Sequence, residues 1–292
     1  WDTRQNKGIL ARDRQGIKPC YLMDLPGGGL AFGSEIKTIL SLPGIVPEID
    51  DVGVNLMHSF NYCPPPRTCY KGITHLEPGT YLELAPDGSH TAHRYWSWPL
   101  GGEAEPLSHD AFAELLDDAI RLQMRFDVKG CLFLSGGVDS SVIAAHLTRR
   151  WNAPRMLAFG LDCREEAYGE YHLAERVAAQ FDMIDLQPLQ YDHAIVPDNI
   201  EAVLHHADQP HGDFSFFLIR KLCQAAHEAG VIVAFNGDGP DEVLSGFSHN
   251  QAFFSSQTRT NFPLAEYFSQ ICFMPEPARS RVLSGDFCAQ MY

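Results

Sequence analysis

The sequence is poor in basic residues, with 22 Lys and Arg against 37 Asp and Glu and a formal net charge of −15. Proteins that bind nucleic acid over a broad surface carry a basic stripe, and none is visible here. We expect no signal peptide before the first domain, and no apolar run approaches the roughly 18 residues of a membrane span. We therefore expect no nucleic-acid partner, no membrane partner and a cytoplasmic location.

Two common metal patterns are missing as well. The eight cysteines form no C-x-x-C pair, and the apolar context of several predicts reduced, mostly buried thiols. The thirteen histidines show no metal-ligand spacing, and the adjacent His205 and His206 cannot share one helical face. We therefore expect no zinc site.

The composition is that of a globular protein, with 45% hydrophobic and 20% charged residues in a chain of 292. This length suffices for two domains. Residues 97–109 are rich in Gly, Pro and Glu and carry no periodicity, so we place the boundary there, with domains at 1–98 and 108–292.

The first domain is predicted to be mainly β, with short strands broken by Gly and Pro. Pro26–Gly29 is interpreted as a hairpin turn, because a G-x-G-x-x-G nucleotide loop fails at Phe32. Ser34 is predicted to cap a helix over 35–42, and a second helix is predicted over 51–60. Asp87-Gly88 marks the turn of a later hairpin.

The second domain alternates helix and strand. Its predicted strands, at 131–134, 155–161, 183–187 and 231–235, are apolar without alternation, which is typical of strands buried on both faces. This pattern predicts an α/β fold, a doubly wound, mainly parallel sheet with helices on both faces. The first helix is predicted to bury one apolar face, formed by Phe112, Leu115, Leu116, Ala119 and Ile120.

The segment "LSGGVDSS" (134–141) lies at the carboxyl end of one predicted strand, where ligands gather in such sheets. Gly136 and Gly137 allow backbone N–H groups to approach an anion at the start of the next helix. Asp139 suits a magnesium ion that bridges to a phosphate. Further donors come from three hydroxyls, Ser135, Ser140 and Ser141. The loop suits pyrophosphate with its metal, and γ-phosphoryl transfer is disfavoured because the Walker lysine is missing.

A second polar loop, "NGDGPDE" (236–242), follows another buried strand. Asp238, Asp241 and Glu242 suit either a second metal-and-phosphate loop or the capping of a helix. Because both loops are expected at the same sheet edge, we favour one shared site.

The two loops resemble the signatures of the ATP pyrophosphatase (PP-loop) superfamily and, within it, of the asparagine synthetases. Upstream, "LARDRQGIKP", "FGSEIKTIL", "PPPRTCYKGITHLEPGTYLEL" and "RYW" resemble the rear half of that family's class II glutamine amidotransferase domain. The resemblance runs from about residue 5 to residue 250. It implies a PP-loop α/β domain preceded by part of a mainly β (α+β) amidotransferase domain.

The resemblance implies a ligase that uses ATP and Mg²⁺ to activate a carboxylate, the aspartate side chain in asparagine synthetase, as an acyl-AMP. Ammonia from glutamine then attacks it. Asp238 matches the acid tied to adenylate formation, and Asp139 and Asp241 match Mg²⁺ ligands. The implied ATP-binding residues are Leu134, Ser135, Gly136, Gly137, Asp139, Ser140, Ser141, Phe159, Asn236 and Gly237. The expected partners are small-molecule substrates, with a homodimer as the candidate assembly.

The sequence departs from the family pattern in several places. It begins at Trp1 within the amidotransferase domain, without that domain's N-terminal cysteine, and a catalytic lysine would fall beyond Tyr292. We therefore expect the middle of a longer enzyme, with little activity of its own. Asn236 replaces Ser, Pro240 replaces a small residue and "SGF" replaces "GGY". The segment "ADQPHGDFSFF" (207–217) matches a family "DEP" segment, or is a plain loop in which Asp213 or Ser215 caps the next helix.

Three alternatives stay open beside asparagine synthesis. Relatives that form acyl-adenylates close β-lactam or lasso-peptide rings, or amidate sugars and lipids. A tRNA-modifying PP-loop enzyme is opposed by the acidic charge balance. A non-catalytic remnant would bind only a nucleotide or a partner.

Overall fold

The computed structural model describes residues 1–99, 107–163, 169–256, 264–275, 278–279 and 281. The chain forms two compact units: residues 1–102, 204–213 and 263–292 make the first, and residues 103–203 and 214–262 make the second. Part of the predicted boundary segment, 100–106, lies outside the described residues, and the domain limits 1–98 and 108–292 stay a prediction. Across the described ranges, no helix is long and apolar enough to cross a membrane.

The first unit contains two antiparallel sheets, each of three strands. The strands are β1 (Gly8–Ala11), β2 (Tyr21–Asp24), β3 (Leu30–Gly33), β4 (Thr74–His75), β5 (Thr80–Leu84) and β6 (His90–Arg94). One sheet has the order β3-β2-β4 and the other β1-β5-β6. Both predicted hairpins are confirmed, since Pro26–Gly29 lies between β2 and β3, and Asp87-Gly88 between β5 and β6.

The first unit also contains helices α1 (Ile36–Leu40) and α2 (Asp51–Phe60). The prediction that Ser34 caps α1 is wrong. The N-cap residue is Glu35, whose side chain makes no capping bond. The carboxylate of Asp208 takes that role. It accepts a hydrogen bond from the Ile36 N–H at 2.7 Å and forms an ion pair with Lys37 Nζ at 2.8 Å.

The second unit is built on a four-stranded sheet whose paired strands all run parallel, in the order β10-β7-β8-β9. The elements are α3 (His109–Gln123), β7 (Gly130–Phe133), α4 (Val138–Thr148), β8 (Met156–Cys163), α5 (Tyr171–Ala178), β9 (Ile184–Tyr191), α6 (Ile195–Ala207), α7 (Ser215–Glu228), β10 (Val233–Phe235), α8 (Pro240–Leu244) and α9 (Ser248–Ser256). The end of α6, residues 204–207, belongs to the first unit. A last described helix, α10 (Leu264–Ile271), follows in the first unit.

Helices cover both faces of this sheet, as predicted for a doubly wound α/β fold. On one face, buried residues of α3, α4 and α5 pack with strand residues such as Leu132 and Ala158. On the other face, Leu222 and Ala226 of α7 pack with Cys131 of β7. Consecutive strand residues alternate between two covered faces, which explains why the strand sequences are continuously apolar.

The predicted apolar face of α3 is only partly correct. Ile120 is buried and Leu116 packs against the core, but Phe112 is 42% exposed, Leu115 is 62% exposed and Ala119 is exposed as well. The helix contacts the core through residues spaced four apart, ending at Met124. The wider apolar face was inferred from the helical periodicity of the sequence. Periodicity shows which residues share a face of the helix, but not how much of that face a neighbouring element covers.

Helix α7 is terminated by Gly230, which adopts φ +70° directly after the C-cap residue Ala229. At the start, the N-cap residue is Phe214, whose own side chain makes no capping bond. The N-cap position is thus neither Asp213 nor Ser215, the two residues that the sequence offered for it.

Candidate functional site

The two polar loops lie at the carboxyl edge of the parallel sheet, after the neighbouring strands β7 and β10. From β7 the chain builds outward through β8 and β9, and it returns to the other side of β7 with β10. The connections therefore diverge between β7 and β10. In open α/β sheets, ligands bind at this kind of topological switch point.

Gly237 brings the two loops into contact. A Cβ atom at residue 237 would lie 2.9 Å from the Ser140 amide nitrogen and 3.2 Å from Asp139 Cβ. Only glycine fits at residue 237, because a side chain there would overlap the atoms of Asp139 and Ser140. Gly237 therefore rests on the first turn of α4, where free backbone N–H groups suit an anion.

Hydroxyl groups fix the shape of the first loop. Ser140 is only 4% exposed, and its Oγ lies 2.9 Å from Ser135 Oγ while it accepts a hydrogen bond from the Ser135 N–H at 3.3 Å. The Gly137 N–H donates to Ser135 Oγ at 3.2 Å. These bonds preorganise the loop, so a ligand would not have to order it on binding.

Gly136 and Ser141 do not line the cavity that the other predicted ligand-binding residues share. Gly136 adopts φ +82°, and a Cβ there would lie 2.4 Å from the backbone of Leu173 and Ala174. The Ser141 hydroxyl donates to the Gly137 carbonyl at 2.6 Å. Both residues border a separate cavity with Leu173 and other residues of α5. Their visible role is to build the turn.

The remaining predicted residues surround one cavity of about 490 Å³. This volume is within the range of small-molecule and cofactor sites. The predicted residues that line it are Leu134, Ser135, Gly137, Asp139, Ser140, Phe159, Asn236, Gly237, Asp238 and Asp241. The structure thus brings residues about 100 positions apart in the chain into one wall.

The cavity has further lining residues that the sequence interpretation missed. They are Phe133, Leu161, Glu170, Tyr191, Leu218, Ile219 and Leu222. Tyr191 is the last residue of β9, so the rule that ligands lie at carboxyl ends of strands could have identified it. Leu218 and Leu222 belong to α7, where no local sequence signal separates a core residue from an apolar cavity wall.

Carboxylates dominate the charge of the cavity. Asp139, Asp238, Asp241 and Glu170 all line it, and no Lys, Arg or His is among its described lining residues. Within the described part of the chain, the carboxylates of Asp139 and Asp241 have no hydrogen-bonding or ion-pairing partner. Oxygen donors of this kind, free of competing partners, suit Mg²⁺. The described residues contain no preformed group of three or more His, Cys, Asp or Glu for a metal.

Asp238 is held by its neighbour. Asn236 Nδ2 donates a hydrogen bond to Asp238 Oδ2 at 2.6 Å. Burial, followed by the negative charge of Glu242, raises the pKa of the Asp238 carboxyl above its ordinary value. The carboxyl therefore has a fixed position and a proton affinity higher than that of a free aspartate.

Asp241 and Glu242 lie in the first turn of the short helix α8, where acidic side chains interact favourably with the helix dipole. Gly246 leaves room for the Asp241 side chain, because a Cβ at residue 246 would lie 1.8 Å from Asp241 Oδ1. Helix capping and cavity lining are thus compatible at this loop, and the sequence had left them as alternatives.

Comparison with known families gives two matches. Residues 111–290 match the model of the asparagine synthase family, and residues 1–96 match the model of a glutamine amidotransferase domain. The first match alone covers more than half of the chain. Together the two matches leave only residues 97–110 and 291–292 unmatched.

Similar curated proteins include an amidase, chyE, from Penicillium rubens and a putative glutamine-hydrolysing asparagine synthetase from Mycobacterium tuberculosis. The first is 27% identical over 97% of this chain and 43% of its own length. The second is 28% identical over 85% of this chain and 39% of its own length. The chain therefore spans about two-fifths of the relatives it matches.

Among solved structures, an NH3-dependent NAD synthetase from Campylobacter jejuni covers 64% of this chain and 92% of its own at 12% identity, with a TM-score of 0.35. A likeness of this extent carries no functional information.

Proposed function

Because this chain belongs to the asparagine synthase family, we propose that its protein is an ATP-dependent amide-forming ligase. The proposed reaction joins a carboxylate, the side chain of aspartate, to AMP with release of pyrophosphate. Ammonia derived from glutamine then displaces AMP and forms the amide. The cavity between the loops after β7 and β10 is the observation that carries this proposal.

The cavity walls suit the two halves of a nucleotide. Phe159, Leu218 and Leu222 supply an apolar wall for a base. The free N–H groups at the start of α4 would receive the phosphates. We propose that the α-phosphate lies near the second loop, which carries Asp238.

A triphosphate needs positive charge that the cavity walls do not supply, because their ionisable groups are carboxylates. Asp139 and Asp241 would hold Mg²⁺, which would neutralise the phosphates and the departing pyrophosphate. Asp238, fixed by Asn236, would position the reacting carboxylate at the α-phosphate. Backbone N–H groups would stabilise the charge that develops on the phosphate oxygens.

The match of residues 1–96 to a glutamine amidotransferase domain supports glutamine as the source of ammonia in the whole protein. We assign no residue of this chain as the glutaminase nucleophile. Cys20, Cys63, Cys69 and Cys131 are buried, which is typical of structural thiols rather than of reactive ones.

Product analysis of the native full-length protein tests this proposal. The protein is incubated with MgATP, aspartate and ammonium chloride, which makes the assay independent of glutamine hydrolysis. We expect AMP and pyrophosphate to form only when the acceptor is present, and Asp238→Asn to abolish both. Formation of ADP and phosphate would overturn the adenylation proposal.

A second acceptor class deserves a parallel test because the acceptor end of the cavity is altered. Asn236 stands where a serine is usual in the family that the sequence resembles, and its amide occupies one oxygen of Asp238. One similar protein is named an amidase rather than a synthetase. We propose that the same adenylation acts on another carboxylate if aspartate fails, and AMP formation with a panel of amino-acid and aryl carboxylates would identify it.

A further inference from the structure

A second cavity, of about 650 Å³, lies in the second unit at the amino edge of the parallel sheet, opposite to the edge that carries the two loops. Its lining residues come from the end of α3, from the segment before β7, and from the connection between α4 and β8. Neither the reaction proposed above nor any family match explains this cavity. It differs from the first cavity in charge, because its ionisable lining residues are all basic.

Two of its four basic side chains are already neutralised. Arg121 pairs with Asp118, and Arg150 pairs with Asp117, one of the carboxylates of α3. These pairs form part of the wall and leave little charge for a ligand. The positive charge that remains belongs to Lys129 and Arg155.

Lys129 and Arg155 line the same cavity from the segments that lead into β7 and β8, which are neighbouring strands of the sheet. Lys129 Nζ is fixed by one hydrogen bond, to the Ala229 carbonyl at 2.7 Å. Arg155 makes no hydrogen bond or ion pair to any residue that the structure describes.

The remaining wall is apolar and aromatic. Phe126 and Trp151 contact each other with ring centroids 6.2 Å apart. Both rings cover Gly130, where a Cβ would lie about 3 Å from each of them, and the backbone of β7 therefore forms the floor. A flat apolar group can pack on these rings while its charged end reaches the two cations.

We infer that this cavity binds small organic anions that carry a flat apolar body and one carboxylate or phosphate head. The head binds to Lys129 and Arg155, the two cations of the cavity wall that no carboxylate neutralises, and the body packs on Phe126 and Trp151.

Calorimetric titration of the folded 292-residue chain tests the site with three probes that share one ring system. 1-Naphthoate and 1-naphthyl phosphate carry the two heads, and 1-naphthalenemethanol carries none. We expect both anions to bind at least tenfold more tightly than the alcohol, and only their affinity to fall when NaCl is raised. The tighter anion identifies the preferred head. Equal affinity for all three probes would overturn the inference.

Two substitutions test whether the probe binds in this cavity. Arg155→Met, at a residue without partners in the described structure, is expected to weaken anion binding roughly fivefold and to leave the alcohol unchanged. Arg149→Met is the matched control, because Arg149 ends α4 and lines a different cavity. If both variants bind 1-naphthoate like the wild type while retaining its melting temperature, the site is elsewhere and the inference fails.

Discussion

Gly237 lies against Ser140, so close that a Cβ at residue 237 would stand 2.9 Å from the Ser140 amide nitrogen. The two residues belong to loops that follow neighbouring strands of one parallel sheet. Their contact makes the two loops one surface, and the proposed nucleotide site depends on it.

Gly237→Ala should therefore separate the loops. The added methyl group cannot be accommodated without displacing backbone, because its nearest neighbours are Ser140 N and Asp139 Cβ. We expect ATP affinity to fall at least tenfold while the far-ultraviolet circular dichroism stays unchanged, since the loop lies at the edge of the sheet. Gly239→Ala is a useful comparison: no atom lies within 4 Å of its Cβ position, so any effect comes from its φ of +106°.

Asp238→Asn should abolish activity without lowering stability at neutral pH. The raised pKa of Asp238 means that the folded state holds the ionised carboxylate at a cost. This cost is absent below the ordinary aspartate pKa of about 3.9 and fully present above the raised value. As pH rises through that range, the wild type should lose stability relative to the variant. We expect Asp238→Asn to melt no lower than wild type at neutral pH while AMP formation is lost. A variant that melts lower at neutral pH would contradict the burial cost.

Asp208→Asn should destabilise the first unit. The Asp208 side chain is 5% exposed and accepts hydrogen bonds from the Ile36 N–H and from Lys37 Nζ. Asparagine keeps the size and tolerates the φ of +64°, so the substitution mainly removes the charge. We expect a loss of about 2 kcal/mol in the free energy of unfolding, measured in urea.

The matched control for Asp208 is Glu35→Gln. Glu35 also pairs with Lys37, at 3.2 Å, but its side chain is 49% exposed. An exposed pair contributes little, so the control should change stability by no more than about 0.5 kcal/mol. Equal losses in both variants would show that Asp208 does not cap α1.

Gly53→Ala should also destabilise the first unit, although alanine is the better helix former. A Cβ at residue 53 of α2 would lie 2.1 Å from the Thr68 carbonyl oxygen. Backbone atoms cannot move out of its way without a large cost in free energy. We expect a loss of about 3 kcal/mol or more. Gly27→Ala, with nothing within 4 Å, should stay within about 0.5 kcal/mol of wild type. A stable Gly53→Ala protein in the same urea titration would show that α2 can move away from residue 68.

Features with a local cause could be predicted from the sequence. Turn glycines such as Gly28 and Gly88, with φ of +88° and +85°, are required by the hairpins themselves. The loop at residues 134–141 was identified because an apolar strand, paired glycines and hydroxyls follow one another directly. The parallel sheet followed from strands that are apolar on both faces.

Features with a distant cause could not be predicted. Helix α1 is capped by Asp208, 172 positions away, and no local pattern announces that contact. Leu218 and Leu222 of α7 line the candidate site because the fold places them there, while their spacing is that of any core helix. Leu115 of α3 is exposed although it belongs to the predicted apolar face. The local sequence does not show whether another element covers an apolar residue.

Hydrogen–deuterium exchange of this chain with and without MgATP tests the central claim most directly, because it reports where the nucleotide binds. We predict slower exchange of the backbone amides of 135–141 and 236–242 together, and no change at 124–130 or 151–157, which border the second cavity. Protection of only one loop, or protection at the amino edge of the sheet instead, would contradict a single nucleotide site between β7 and β10.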